Sequence, residues 1–358
     1  MRTYIFGAGA SKAENIPVTS ELLPVALHEL PNDKHVKKSK KFLRDIFYLD
    51  LNDLELYPSF EDVLNIVDAS ILQKIDMSSK YTYKYLENIR IDLIYCMAEI
   101  IKEKAPIGTN TLHYKFIKNL YTRNNSNRID NAFINLNYDI LLDNALIYLF
   151  RANNEYGIDL DINYTINFRN SIYYNESSTI SVDEDSEYWH EPRLDRSIYL
   201  LKPHGSLNWI YCPNCQTIKI TPKRKSASVI IDKPTPCEFD NSIQQPLIMA
   251  PTWYKNYSIP NIVNIWMKCG EILRNSEEII FIGYSLPEAD HELRYLFKKN
   301  IYKESRRNKP NIYLITNSRK INDITKRYRS LFGKEVKINN EGFENFANNP
   351  NLRETIFI

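Results

Sequence analysis

The chain has 358 residues, 43% of them apolar and 25% charged, and its formal net charge is +2. That length can bury one large core or two modest ones, and so small a net charge gives no case for a nucleic-acid or membrane-surface partner. No stretch is apolar for long enough to span a bilayer, and five cysteines, an odd number, fit a reducing cytoplasm better than a disulfide scaffold.

In chain order, the first element is the apolar run Thr3–Phe6, which leaves no room for a signal peptide. It ends in Gly7-Ala8-Gly9-Ala10-Ser11. A dinucleotide fingerprint wants a third glycine three residues after the second. Lys12 holds that place, and Pro17 arrives before a long helix can form. Residues 19–130 read as a helical module inserted into a nucleotide fold. Ser59 caps one segment, with Glu61 and Asp62 in its first turn. Leu86, Ile89, Leu93, Met97, Ile100 and Ile101 make one face of a second, which stops near Pro106. A third starts from a cap at Asn110 or Thr111 and carries Leu112, Phe116 and Leu120 on one face.

Four more apolar runs follow, each ending in residues with chemical capability. NAFINLN ends in Asn137-Tyr138-Asp139, and SIYLLKP in His204-Gly205-Ser206. EEIIFIG ends in Gly283-Tyr284-Ser285, and NIYLIT in Asn317-Ser318. Short runs rich in Ile, Tyr, Phe and Leu are what a parallel sheet covered on both faces requires. The expected fold is α/β, a Rossmann-like parallel sheet with helices on both faces, plus the large helical insert and a smaller irregular or β insert. The core takes residues 1–18, 131–150, 198–210 and 245–358. The small insert takes 151–197, tyrosine-rich with an acidic run at 182–191, and 211–244. In open parallel sheets ligands bind outside the carboxyl ends of the strands, so that edge is the expected site. The basic clusters Lys37, Lys38, Lys40, Lys41 and Arg44, and Lys223, Arg224 and Lys225, read as solvated faces.

Cys212 and Cys215 form a Cys-x-x-Cys knuckle, half of many structural zinc ribbons. The second half should follow about fifteen to twenty residues later, and only Cys237 appears there, with no fourth cysteine beside it. Glu238, Asp240 or a distant histidine would have to complete a closed site, so the expectation is a degenerate ribbon without metal. His204 directly follows a strand and precedes a sharp turn, so its ring can face the crevice. A turn histidine bonded to backbone is the plain alternative, and His291 ranks below it.

Together these residues resemble the sirtuin (silent-information-regulator) superfamily. Gly7–Ser11 with Ile16-Pro17, Leu136-Asn137-Tyr138-Asp139, His204-Gly205-Ser206 ahead of Cys212 and Cys215, then Gly283, Ser285 and Asn317 follow the sirtuin order and spacing. Protein-deacylating sirtuins carry a Phe-Gly-Glu segment that pairs with the acyl-lysine peptide; here that region, 246–257, reads PLIMAPTWYKNY. NYDILLDNAL, APTW and GYSLPEADHEL are similar to the sirtuin-like NADase domains of bacterial anti-phage defence systems.

The resemblance implies an NAD+ hydrolase that yields nicotinamide and ADP-ribose and depletes NAD+ on infection. It implies control by homo-oligomerisation or by a partner such as a HerA-type ATPase, with neither membrane nor direct nucleic-acid contact. Asn137 would meet the ribose hydroxyls and the attacking water, Asp139 the nicotinamide carboxamide, and His204 would act as base. Backbone amides of Gly7, Ala8, Gly9 and Ser11 would hold the diphosphate, the glycines allowing close approach. Gly283, Ser285 and Asn317 would serve the adenosine half. An NAD-dependent deacylase or ADP-ribosyl transferase, and a non-catalytic NAD- or ADP-ribose-binding regulatory module, stay open beside this reading.

Overall fold

The computed structural model describes residues 1–50, 53, 56–122, 130–152, 158, 160–166, 168, 193–221, 227–249, 259–288, 290–302 and 309–349. The acidic run at 182–191, Lys223, Arg224 and Lys225, and 250–257 of the PLIMAPTWYKNY segment lie outside the described residues.

The chain runs β1 (Arg2–Phe6), α1 (Ala8–Lys12), α2 (Thr19–Glu29), α3 (Lys34–Phe47), α4 (Phe60–Gln73), α5 (Tyr83–Lys104) and α6 (Leu112–Thr122). It continues through β2 (Asn131–Asn135), α7 (Leu141–Ile147), β3 (Asp161–Asn163), β4 (Ser197–Leu201), β5 (Gly205–Tyr211), β6 (Ile218–Ile220), α8 (Ala227–Asp232) and β7 (Gln245–Ile248). It closes with α9 (Pro260–Asn275), β8 (Glu278–Ile282), α10 (His291–Ile301), β9 (Asn311–Ile315), α11 (Ile321–Phe332), β10 (Lys337–Asn339) and α12 (Gly342–Asn348). Two compact units result: Met1–Asn15 with Pro106–His204 and Ile259–Ile358, and Ile16–Ala105 with Gly205–Ser258.

The first unit holds a seven-stranded sheet in the order β10-β9-β8-β1-β2-β4-β3, parallel throughout. Strand periodicity sends alternate side chains to opposite faces, and both faces are covered. Tyr4 and Phe6 meet Phe116 of α6, ring centres 5.2 and 5.6 Å apart, and Phe6 meets Phe343 of α12 at 5.8 Å. Phe281, in register with Ile5, turns the other way, to Phe297 of α10 at 5.3 Å and Tyr328 of α11 at 5.1 Å. From β1 the sheet grows through β2 to one side, and β8 opens the other. The order therefore reverses between β1 and β8, the switch point at which α/β sheets bind ligands.

Helix starts follow side-chain capping. The Thr111 hydroxyl accepts the Tyr114 amide at 3.1 Å, so Thr111 and not Asn110 caps α6. Ser59 caps α4 through the Asp62 amide at 3.1 Å. Helix α5 ends at Lys104, just ahead of Pro106. In the second unit α5 packs against α2, α3, α4 and α8, beside a small antiparallel sheet ordered β6-β5-β7. No helix among the described residues is long and apolar enough to cross a membrane.

Phe116 is fully buried at the centre of the aromatic cluster. Phe116→Ala should cost about 3–5 kcal/mol of stability, read by denaturant unfolding. Met267→Ala, at a position 68% exposed, should change it by less than about 0.5 kcal/mol.

Candidate active site

The carboxyl ends of β1 and β8 touch through their backbones. The Gly7 amide donates to the Ile282 carbonyl at 2.9 Å and the Gly9 amide to the Gly283 carbonyl at 2.8 Å. A β-carbon on Gly283, whose φ is +64°, would lie 2.2 Å from the Ala10 nitrogen, and one on Gly9 would lie 2.8 Å from the Gly283 oxygen. The Ala10 amide donates to the Gly7 carbonyl at 2.9 Å. Gly7 and Gly9, expected to admit a diphosphate, thus serve first to admit Tyr284 and Gly283 of the neighbouring strand end, and three amides of that loop are engaged by the chain's own carbonyls.

Ser11 links the loop to the end of β2. Asn137 Nδ2 donates to the Ser11 hydroxyl oxygen at 2.8 Å and to the Gly7 carbonyl at 3.1 Å. The Ser11 hydroxyl in turn donates to Asp139 Oδ2 at 2.6 Å. Because a carbonyl can only accept, the Asn137 amide nitrogen must face the loop, and its oxygen turns away from it. The other Asp139 oxygen accepts the Leu141 amide at 3.0 Å. Asp139 is 3% exposed, so its carboxylate fixes Ser11 and the start of α7.

His204 closes the group from β4. Its Nδ1 lies 3.2 Å from the Leu136 carbonyl, which can only accept, so Nδ1 carries a proton. The ring is buried, 6.3 Å from that of Tyr138 and 6.2 Å from that of Trp266, centre to centre. Gly7, Ser11, Asn137 and Asp139 are therefore directly bonded, His204 joins through Leu136, and Gly9 and Gly283 meet. Ser285 and Asn317 follow β8 and β9 at the same edge with exposed side chains. The Arg327 guanidinium holds the Ser285 carbonyl at 3.1 Å. Sequence reasoning missed Lys202, which directly follows β4 and is fully buried; a charge closing the apolar run SIYLL was its signal.

The cysteine knuckle, in the second unit, has a matching second half. The Cys212 amide bonds the Thr217 carbonyl and the Gln216 amide bonds the Cys212 carbonyl. The Cys237 amide bonds Ser242 and the Asn241 amide bonds Cys237 in the same pattern, with Gln216 and Asn241 both left-handed at φ 59° and 60°. Asp240 occupies the place of the absent fourth cysteine. Ligand atoms of Cys212, Cys215, Cys237 and Asp240 all lie within 4.8 Å of one another, whereas Glu238 pairs with Lys219 at 2.8 Å. Three thiols and a carboxylate suit a tetrahedral zinc ion, whose contribution there would be to tie the two turns together. Burial pushes the Cys212 thiol up to about 11, so bound zinc must displace its proton.

Residues 131–339, more than half of the chain, match the SIR2-like domain family, and the chain belongs to that family. No curated protein matches it. Among solved structures it is similar to a Sir2 homologue in complex with NAD, with 12% identity over 99% of this chain and 90% of the other and a TM-score of 0.48. A Sir2 homologue variant in complex with ADP-ribose shares 12% identity over 100% and 93%, with a TM-score of 0.47.

Protein purified from zinc-supplemented cells should carry about one zinc per chain by mass spectrometry of the metal, as a closed four-ligand site requires. Cys237→Ser and Asp240→Ala should each lower that occupancy several-fold.

Proposed function

We propose that this chain hydrolyses NAD+ to nicotinamide and ADP-ribose, and that it serves bacterial anti-phage defence by depleting NAD+. The observation that carries the reading is the bonded set Ser11, Asn137 and Asp139, with His204 beside it, at the edge where the sheet order reverses. Family membership and the sirtuin-like motif order support NAD+ as its ligand.

Breaking the bond between nicotinamide and ribose sends the electron pair onto the pyridinium nitrogen. The leaving group departs neutral and needs no general acid. Positive charge grows at the ribose C1′ atom, as in glycoside hydrolysis, and water adds there. The carbonyl oxygen of Asn137, turned away from the loop, accepts from that water or from a ribose hydroxyl. His204 Nε2 accepts the proton that the water releases. Asp139 acts through Ser11, holding the donor end of Asn137 on the loop. Gly7, Ala8, Gly9 and Ser11 border the diphosphate, and Gly283, Ser285 and Asn317 the adenosine half. Activity is governed by self-assembly or by a partner of the HerA ATPase type.

Purified protein incubated with NAD+ and no peptide should release nicotinamide and ADP-ribose, resolved by chromatography. Asn137→Ala and His204→Ala should each lower kcat about a hundredfold or more. Nicotinamide release that requires an acyl-lysine peptide would replace the hydrolase with a deacylase. In phage-challenged cells, NAD+ should fall with the wild type and persist with Asn137→Ala.

A further inference from the structure

Lys202 has no part in the reaction as written, yet its side chain is 0% exposed. A lysine is almost never buried so completely unless its charge is met. Its Nζ donates to the main-chain carbonyl of Asp139 at 2.7 Å and to Asp143 Oδ2 at 3.0 Å. Asp143, also buried, accepts the Tyr164 hydroxyl on its other oxygen at 3.0 Å. Two residues after Lys202, the His204 ring holds the Leu136 carbonyl. The stretch that leaves β4 therefore grips the segment 136–139 at both of its ends, and Asn137 lies between the two grips. The backbone N–H of Asn137 itself donates to Asn135 Oδ1 at 3.1 Å.

We propose that Lys202, balanced by Asp143, is a positioning residue that fixes the Asp139 carbonyl and thereby the placement of Asn137 against the ribose. This rests on the NAD+ hydrolase reading above. The physical case is one of donors. Lysine combines the reach to cross from β4 to the neighbouring loop with several N–H groups, and these serve a carbonyl and a carboxylate together. A site held by a locked supporting shell keeps its reacting groups within about 0.5 Å of productive geometry. Misplacement by about 1 Å can cost on the order of a hundredfold in rate.

Removing Lys202 alone would strand a buried carboxylate and endanger folding, so both charges are removed together. Lys202→Met with Asp143→Asn lacks the donor to Asp139, and Lys202→Gln with Asp143→Asn restores one without charge. Both pairs should fold with a cooperative thermal transition. The Met/Asn pair should bind ADP-ribose within about threefold of wild type and lose about 10- to 100-fold in kcat, and the Gln/Asn pair should recover most of that loss. Hydrogen exchange of the amides of 136–143 should be faster in the Met/Asn pair and near wild type in the Gln/Asn pair. A Met/Asn pair with wild-type kcat and wild-type exchange would overturn the proposal. If the wild type turns over no NAD+, the hydrolase reading fails separately, and unchanged exchange in the Met/Asn pair still decides against Lys202.

Discussion

The backbone of Gly9 lies against that of Gly283 with no space for a β-carbon between them, and the candidate site is built outward from that contact. A parallel sheet whose order reverses between β1 and β8 binds its ligands outside the carboxyl ends of its strands at that switch point. Binding the loop after β1 to the end of β8 settles where Ser11 stands. Ser11 then receives Asn137 and reaches Asp139, which ties the third strand end to the first two. His204 and Lys202 bring in the fourth through the carbonyls of Leu136 and Asp139. The outer steps, at Gly7, Gly9, Leu136 and Asp139, use main-chain carbonyls or amides, and the side chains of Ser11, Asn137 and Asp139 bond one another between them.

Much of this was legible in the sequence. The runs taken as strands became β1, β2, β4, β8 and β9, because short runs rich in Ile, Tyr, Phe and Leu suit a sheet covered on both faces. The short strands β3 and β10, read DIN and KIN, carry no such run. They pair at the sheet's edges, and only tertiary context could disclose them. The Thr111 cap was one of two readings that the sequence left equal. The glycines of the first loop have a structural reason of their own, since closeness to another backbone and closeness to a phosphate demand the same residue.

The choice of Asp240 beside the knuckle and the burial of Lys202 both needed the fold. The sequence offered Asp240 beside Glu238 and a distant histidine, and the turn around it, which repeats that of Cys212–Thr217, singles it out. Lys202 closes an apolar strand, where a charge reads as the return to solvent. Its burial depends on Asp143, Asp139 and Tyr164, all distant along the chain. Asp139 shows the converse. Its place in the motif was plain, but its engagement by Ser11 and Leu141 makes it an anchor for the groups that would meet the nucleotide.

A crystal structure of Asn137→Ala grown with NAD+ would show where the nucleotide lies, since the substitution should slow turnover enough to retain the dinucleotide. The nicotinamide ribose should lie beside position 137 and His204, the diphosphate along Gly7–Ser11, and the adenosine at the ends of β8 and β9. A nucleotide bound elsewhere on the chain, or lying with its nicotinamide end away from His204, would contradict that placement.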